Sequence, residues 1–168
     1  MIENKNNLQI YCDMDGVLVD FDKQFIKYAK VALNENFVVK GKKFNDEEFW
    51  EIIDAGGVAF WATMKWLKDG YKLWNYIKPF SPQILSAPSI RKESVIGKKI
   101  WLKKNGVDNN GWIFERNKFI YAEENCILID DFIENIDLWR QHGGIGIHHK
   151  NYNQTVSELK KLGIMNKP

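Results

Sequence analysis

Two aspartates, Asp13 and Asp15, stand two residues apart at the end of an apolar run, with Gly16 directly after them. Carboxylates this close repel one another and lose hydration, so the pair needs a cation or hydrogen-bond donors to offset the cost. Asp13 is suited to act as a nucleophile, because carboxylates form aspartyl-phosphates. Asp15 can swing to a leaving-group oxygen and move its proton. Gly16 lets the backbone turn away tightly. A second pair, Asp130-Asp131, ends another apolar run. Ser86 ends a third, and Glu115-Arg116-Asn117-Lys118 follows a fourth. A hard divalent cation such as Mg²⁺ removes repulsion among clustered carboxylates by taking their oxygens as ligands. A serine hydroxyl, backbone amides and a lysine or arginine suit the oxygens of a phosphate. Singly, each feature has a plainer explanation, since aspartates cap helices and make turns. Together, at successive strand ends, they point to phosphoryl chemistry.

The elements that must position these residues follow from the hydrophobic pattern. Short apolar runs at Leu8 to Cys12, Gln83 to Leu85, Trp112 to Phe114, Cys126 to Ile129 and Ile145 to His148 read as buried strands. Helical patterns lie between them: Ser89 to Asn105, capped by Ser89 and ended by Gly106; Ile133 to Gln141; and Gln154 to Leu162, ended by Gly163. Strands alternating with helices predict an α/β fold, a Rossmann-like, doubly wound and mostly parallel sheet. In such sheets ligands bind outside the carboxyl ends of the strands, where the candidate residues fall. The segment 22–76 reads as helical throughout, with Phe25, Ile26, Ala29 and Leu33 on one face and Phe49, Trp50, Ile52 and Ile53 on another, broken at Gly56-Gly57. It predicts a small helical cap inserted after the first strand. The expected division is thus a core of 1–21 and 77–168 and a cap of 22–76.

Bulk composition narrows the class. At 168 residues, 45% hydrophobic and 14% aromatic, the chain can bury one good-sized core. A formal charge of +2 lacks the strongly basic balance of a dedicated nucleic-acid binder, so no stable nucleic-acid partner is expected. No apolar run approaches the roughly 20 residues that span a bilayer, so no membrane partner is expected either. The polar opening MIENKNNLQ lacks a signal-peptide core, and Cys12 and Cys126 read as buried free thiols. The expected location is the cytoplasm. The oligomeric state stays open, with a homodimer among the alternatives. There is no GxxxxGK[ST] loop, HExxH or paired CxxC. His148-His149 reads as structural or solvated rather than as a metal pair, and the lysines from Lys98 to Lys104 as a helix's wet face.

The stretch Asp13-Met14-Asp15-Gly16-Val17-Leu18-Val19-Asp20-Phe21 resembles the signature of the haloacid dehalogenase superfamily of phosphohydrolases, and within it that of the 5′(3′)-deoxyribonucleotidases. Ile84-Leu85-Ser86-Ala87-Pro88 is similar to their second motif, Glu115-Arg116-Asn117-Lys118 to their basic motif, and Leu128-Ile129-Asp130-Asp131 to their acidic one. The resemblance covers about Leu8 to Gln141. It implies Asp13 as nucleophile and Asp15 as general acid and base. It implies Mg²⁺ held by Asp13, the Asp15 main-chain carbonyl and the acidic pair Asp130-Asp131, of which Asp131 looks the better direct ligand. It implies phosphate held by Ser86, the Ala87 backbone N–H and Lys118, with Arg116 in the same basic motif and Lys98 of GKKIW an alternative lysine. It implies a small-molecule nucleotide substrate, with Phe21 and Trp61 against the base and Trp50 and Trp66 left to the core. Ala87 departs from the family's usual Thr-Ser-Pro by lacking the second hydroxyl, which bears on substrate preference. Two other functions stay open: a phosphatase of the same fold for a sugar phosphate or a nucleic-acid end, and a non-catalytic binding module. The second would have been supported by loss of Asp13 or Asp15, and both are present.

Overall fold

The computed structural model describes residues 2–4, 7–33, 44–107 and 111–166, with backbone alone at 2–4 and 166. In chain order the elements are β1 (Ile2–Asn4), β2 (Gln9–Cys12), α1 (Phe21–Ala32), α2 (Asp46–Ala62), α3 (Lys68–Ile77), β3 (Gln83–Ser86), α4 (Lys92–Lys104), β4 (Trp112–Phe114), β5 (Cys126–Asp130), α5 (Ile133–Gln141), β6 (Ile145–His148), α6 (Tyr152–Lys161) and β7 (Ile164–Asn166). Residues 34–43 of the expected helical block lie outside the described residues.

Five strands pair in parallel in the order β4-β3-β2-β5-β6. The chain starts at the centre with β2, moves outward through β3 to β4, then returns to the other side of β2 for β5 and β6. That reversal is a topological switch, and it opens a crevice at the carboxyl ends of β2 and β5. The expected α/β architecture is present. β5 is buried at all five residues, as a strand covered on both faces must be, and its sequence is accordingly a continuous apolar run up to Asp130. Leu85, Cys126, Leu128, Ile136 and Trp139 form a cluster on one side of the sheet, with Tyr11 against the Trp139 ring at 5.4 Å. Each fully buried aliphatic side chain contributes about 1.5–3 kcal/mol of transfer free energy. The short antiparallel pair β1–β7, Ile2 opposite Asn166, had no periodic signal to announce it.

Contacts divide the chain into two compact units, one of 1–19, 66–87 and 108–168 and one of 20–65 and 88–107. Compared with a cut at 22–76, this division begins at 20, moves 66–76 to the sheet-bearing unit and 88–107 to the helical one, and a closely packed glycine lies in each of the last two segments. Gly70 brings α3 so close to the backbone of Val17 and Leu18 that a Cβ there would lie 2.5 Å from each carbonyl oxygen, which ties α3 to the sheet-bearing unit. Gly97 does the same for α4 in the helical unit, against Trp61 and the Val58 carbonyl. In that unit Trp101 Nε1 also donates to Met64 O at 2.8 Å.

Local expectations were corrected where polar groups entered the interior. α1 buries Gln24, Phe25 and Ala29, while Ile26 is 42% exposed. Gln24 takes the inner place because its amide donates to Phe60 O and Thr63 Oγ1. Trp50, expected in the core, is 40% exposed. Gly57, at φ 51° and ψ −143°, kinks α2 where the break was expected. Ser89 does not cap α4. It forms a turn with Arg91 and Ser94, and the helix begins at Lys92. Of the supposed wet face, Lys99, Lys103 and Lys104 are exposed but Lys98 is fully buried. Both cysteines are buried free thiols. No helix among the described residues is long and apolar enough to cross a membrane.

Candidate active site

β2 delivers Asp13 to the crevice. Asp13 N–H continues the ladder by donating to Ile129 O at 2.9 Å, which fixes the first aspartate beside the end of β5. The chain then folds into a tight loop. Leu18 and Val19 N–H both donate to Met14 O, Gly16 N–H donates to Val19 O, and Leu67 N–H donates to Leu18 O. Met14, Val17, Leu18 and Val19 are fully buried, so the loop is anchored by packing as well as by its backbone. Asp15, half-buried, projects from this braced turn.

Opposite Asp13, the 3₁₀ turn Lys118–Tyr121 presents Lys118 to the cluster. Its Nζ lies 2.8 Å from Asp13 Oδ1 and 2.6 Å from Asp130 Oδ2, with only 3% of the residue exposed. Burial works to lower the pKa of this ammonium. The charges and hydrogen bonds of Asp13 and Asp130 outweigh burial and hold it well above the ordinary lysine value. Asp130 is fully buried and both its oxygens are engaged. Oδ1 accepts from Phe132 N–H at 2.8 Å, and Oδ2 accepts from Asn135 Nδ2 at 3.0 Å as well as from Lys118. Burial and the charge of Asp13 push the Asp130 carboxyl up, with Lys118 opposing them. Asp130 therefore serves to hold Lys118. Asn135, one turn into α5, holds Asp130 in its turn. Nothing in the sequence singled out Asn135, whose only signal is its place four residues beyond the acidic pair.

Asp131 differs from its neighbour. The residue is exposed, but its carboxyl tucks against the backbone of Gly16, where a Cβ would lie 2.6 Å from Asp131 Cγ. Gly16 also has φ +74°, so two independent constraints require glycine there. Burial of that carboxyl, then the charges of Asp13 and Asp130, raise its pKa to about 7. His148 Nε2 lies 2.9 Å from Asp131 O, which ties the loop after β5 to the end of β6.

The other expected residues fall in two places. Ser86, fully buried, ends β3 on the same rim, and Ala87 follows it, exposed. Arg116 is exposed in the loop before Lys118. Phe21, Trp61 and Lys98 belong to the helical unit. Phe21 packs 5.8 Å from Trp61 and 5.6 Å from Phe60. Trp61 is 3% exposed, with Lys98 Nζ over its ring at 4.9 Å.

The donor set suits a hard divalent cation. Asp13, Asp130 and Asp131 each offer a carboxylate oxygen, all within 4.8 Å of one another, and one lysine balances three carboxylates. Asp130 is already bonded to Lys118, Asn135 and Phe132 N–H, so Asp13 and Asp131 could take such an ion with the least rearrangement.

No protein-family model matches the chain, and no curated protein matches its sequence. Solved structures do resemble it. One is a HAD family hydrolase from Deinococcus radiodurans R1 with bound phosphate and sodium, 12% identical, with TM-score 0.55 over 92% of this chain and 87% of that one. Another is a HAD-superfamily hydrolase from Ehrlichia chaffeensis, 12% identical, with TM-score 0.53 over 92% and 96%. An L-2-haloacid dehalogenase, 10% identical, matches with TM-score 0.58 over 88% and 86%. Likeness at this level of identity speaks to architecture alone, and the chain has the fold of the haloacid dehalogenase (HAD) hydrolases.

Proposed function

We propose that the chain is a Mg²⁺-dependent phosphatase that removes phosphate from nucleoside or deoxynucleoside monophosphates through an aspartyl-phosphate. The observation that carries the phosphatase reading is the Lys118 ammonium lodged between Asp13 and Asp130, with Asp131 beside them, at the switch point of the sheet. The nucleotide is supported by the likeness of the motifs around Asp13, Ser86, Lys118 and Asp130 to those of the deoxyribonucleotidases.

Asp13 attacks phosphorus in line while the bond to the leaving oxygen breaks. Lys118, locked to Asp13 Oδ1, fixes the rotamer of the nucleophile and puts a permanent positive charge next to the transferring group. Asp15 gives its proton to the leaving oxygen, and the alcohol departs. The resulting Asp15 carboxylate then takes a proton from water, whose oxygen attacks phosphorus. Inorganic phosphate leaves, Asp13 is restored, and Asp15 is again protonated, so the cycle closes. Ser86 and the Ala87 N–H hold phosphate oxygens. Magnesium, when held by Asp13, Asp131 and the Asp15 carbonyl, neutralises the repulsion between an anionic nucleophile and an anionic phosphate.

The test is phosphate release from a panel of nucleoside monophosphates, sugar phosphates and 5′- or 3′-phosphorylated oligonucleotides, with Mg²⁺ and with a chelator. Turnover that requires Mg²⁺ and favours the nucleotides is expected. Asp13→Asn should lose at least about a thousandfold, on the order of 4 kcal/mol of barrier, with an unchanged circular dichroism spectrum. Undiminished turnover by that variant would remove Asp13 as the nucleophile. Preference for another arm of the panel would replace the nucleotide.

A further inference from the structure

We propose that a groove running from the carboxylate cluster along the starts of α3 and α6 binds a second oxyanion carried by the leaving group of the substrate. The proposal rests on the phosphatase reading above. The groove encloses about 460 Å³, is lined by Lys68, Asp69, Lys150 and Asn151, and ends at Gly16 and Asp131. That volume lies within the range of small-molecule pockets, roughly 300–1,000 Å³, and leaves room for a sugar-sized group beyond the scissile phosphate. Its walls all come from the sheet-bearing unit, and two of them follow directly from the ends of β5 and β6.

The charges favour an anion once each carboxylate is assigned. Asp69 Oδ2 accepts from Tyr152 N–H at 3.1 Å, where α6 begins, and Oδ1 lies 3.9 Å from Lys72 Nζ. Its charge is therefore spent on the helix terminus and on a neighbour of its own helix. Asp131 is assigned to the metal. Asn151 Oδ1 accepts from Gln154 N–H, capping α6, and His149 is fixed in the wall by Thr155 Oγ1 at 2.8 Å. Lys68 and Lys150 remain, both exposed, and neither forms an ion pair among the described residues. Two exposed ammonium groups flanking a cleft that ends at Gly16 and Asp131 are suited to a phosphate or carboxylate some ångströms from the bond that breaks. A substrate bearing a single phosphate leaves them unused.

The experiment compares matched pairs: a nucleoside 5′-monophosphate with its 3′,5′-bisphosphate, and glycerol 3-phosphate with 3-phosphoglycerate. The second member of at least one pair should show at least a tenfold higher kcat/KM. Gain in the first pair alone identifies a phosphate, and gain in the second a carboxylate. Lys68→Ala with Lys150→Ala should erase the gain, Lys68→Arg with Lys150→Arg should retain it, and turnover of p-nitrophenyl phosphate should be unchanged in both. Calorimetric binding of the bisphosphate and monophosphate to the same proteins runs in parallel, so the groove is tested even if nothing is turned over. Equal kcat/KM and equal affinity within every pair, or a gain that survives the double alanine variant, would overturn the proposal. Absence of all turnover with preserved bisphosphate selectivity would instead overturn the phosphatase reading alone.

Discussion

Each of the two compact units buries a lysine, and the two lysines serve different ends. Lys118, in the sheet-bearing unit, is held between Asp13 and Asp130 at 2.8 and 2.6 Å. Lys98, in the helical unit, has no exposed surface and sets its ammonium over the Trp61 ring at 4.9 Å, where α2 and α4 pack. The two lysines are thus equally buried in very different surroundings. In the proposed reaction, the ammonium desolvated beside two carboxylates is a fixed charge next to the transferring phosphate. One laid on an aromatic face stabilises a helix pair.

The largest break in the comparison is Lys118→Met. It strands two buried carboxylates without their cation, a situation that costs about 3–5 kcal/mol. Phosphate release should fall at least a thousandfold, and the thermal midpoint should drop by an amount that grows with pH. The sign follows from the carboxyls left behind. Burial and the charge of Asp13 already raise the Asp130 carboxyl, and without the lysine that opposed them it is tolerated when protonated and destabilises the fold as pH increases. A melting curve of the variant at pH 5 and pH 8 reads this. An equal drop at both would mean that Lys118 does not compensate those charges.

Gly16→Ala comes next. A side chain at φ +74° carries about 1–2 kcal/mol of backbone strain, and its Cβ would displace the Asp131 carboxyl. Mg²⁺ affinity should fall on the order of tenfold or more, because a ligand has been re-aimed. Calorimetric Mg²⁺ titration that matches the native protein would show that Asp131 is not a ligand.

Much of this geometry was legible in the sequence, and the reasons are local. β2, β4, β5 and β6 coincide closely with apolar runs, and for β5, buried at all five residues, the reason is that a parallel strand covered on both faces has to be one. Asp13 and Asp130 stood out in the sequence because each comes at the end of such a run, and strand ends in this topology converge on one rim. The helical unit was harder to read. Trp50 faced out, while Gln24 turned the buried stripe of α1 and Lys98 went in, these two because a long-range partner outweighed periodicity. Gly97 and Trp61 are far apart in the chain, so nothing near Gly97 announced that α4 would belong with α2. Asn135 was invisible for the same reason, since its role exists only through the Asp130 oxygen that it reaches.

A smaller effect separates Asp131 from Asp130. With its pKa raised to about 7, the Asp131 carboxyl binds a proton in competition with the metal. Mg²⁺ affinity should be flat above about pH 7 and fall by up to about tenfold per unit below it. In the absence of metal, the raised value means that stability from this group is complete below the ordinary carboxyl value and is lost as pH rises towards 7. The increase in melting temperature on adding Mg²⁺ should therefore be larger at pH 8 than at pH 6. An equal increase at both would remove Asp131 from the ligand set.

Lys98→Met sharpens the comparison from its other side. Methionine keeps most of the buried stem and gives up the charge over Trp61, an interaction on the order of 0.5–2 kcal/mol. The same substitution that disables Lys118 should here lower the melting temperature by only a few degrees. Steady-state phosphate release should stay within about threefold of the native protein, with an unchanged dependence on Mg²⁺. The pair of methionine variants forms an internal control, since both remove one buried ammonium and differ only in what surrounds it. If Lys98→Met lost activity as Lys118→Met does, the phosphate lysine would have to be reassigned to α4. The distinction between a charge held by carboxylates and a charge held by an aromatic ring would then no longer separate reaction from packing.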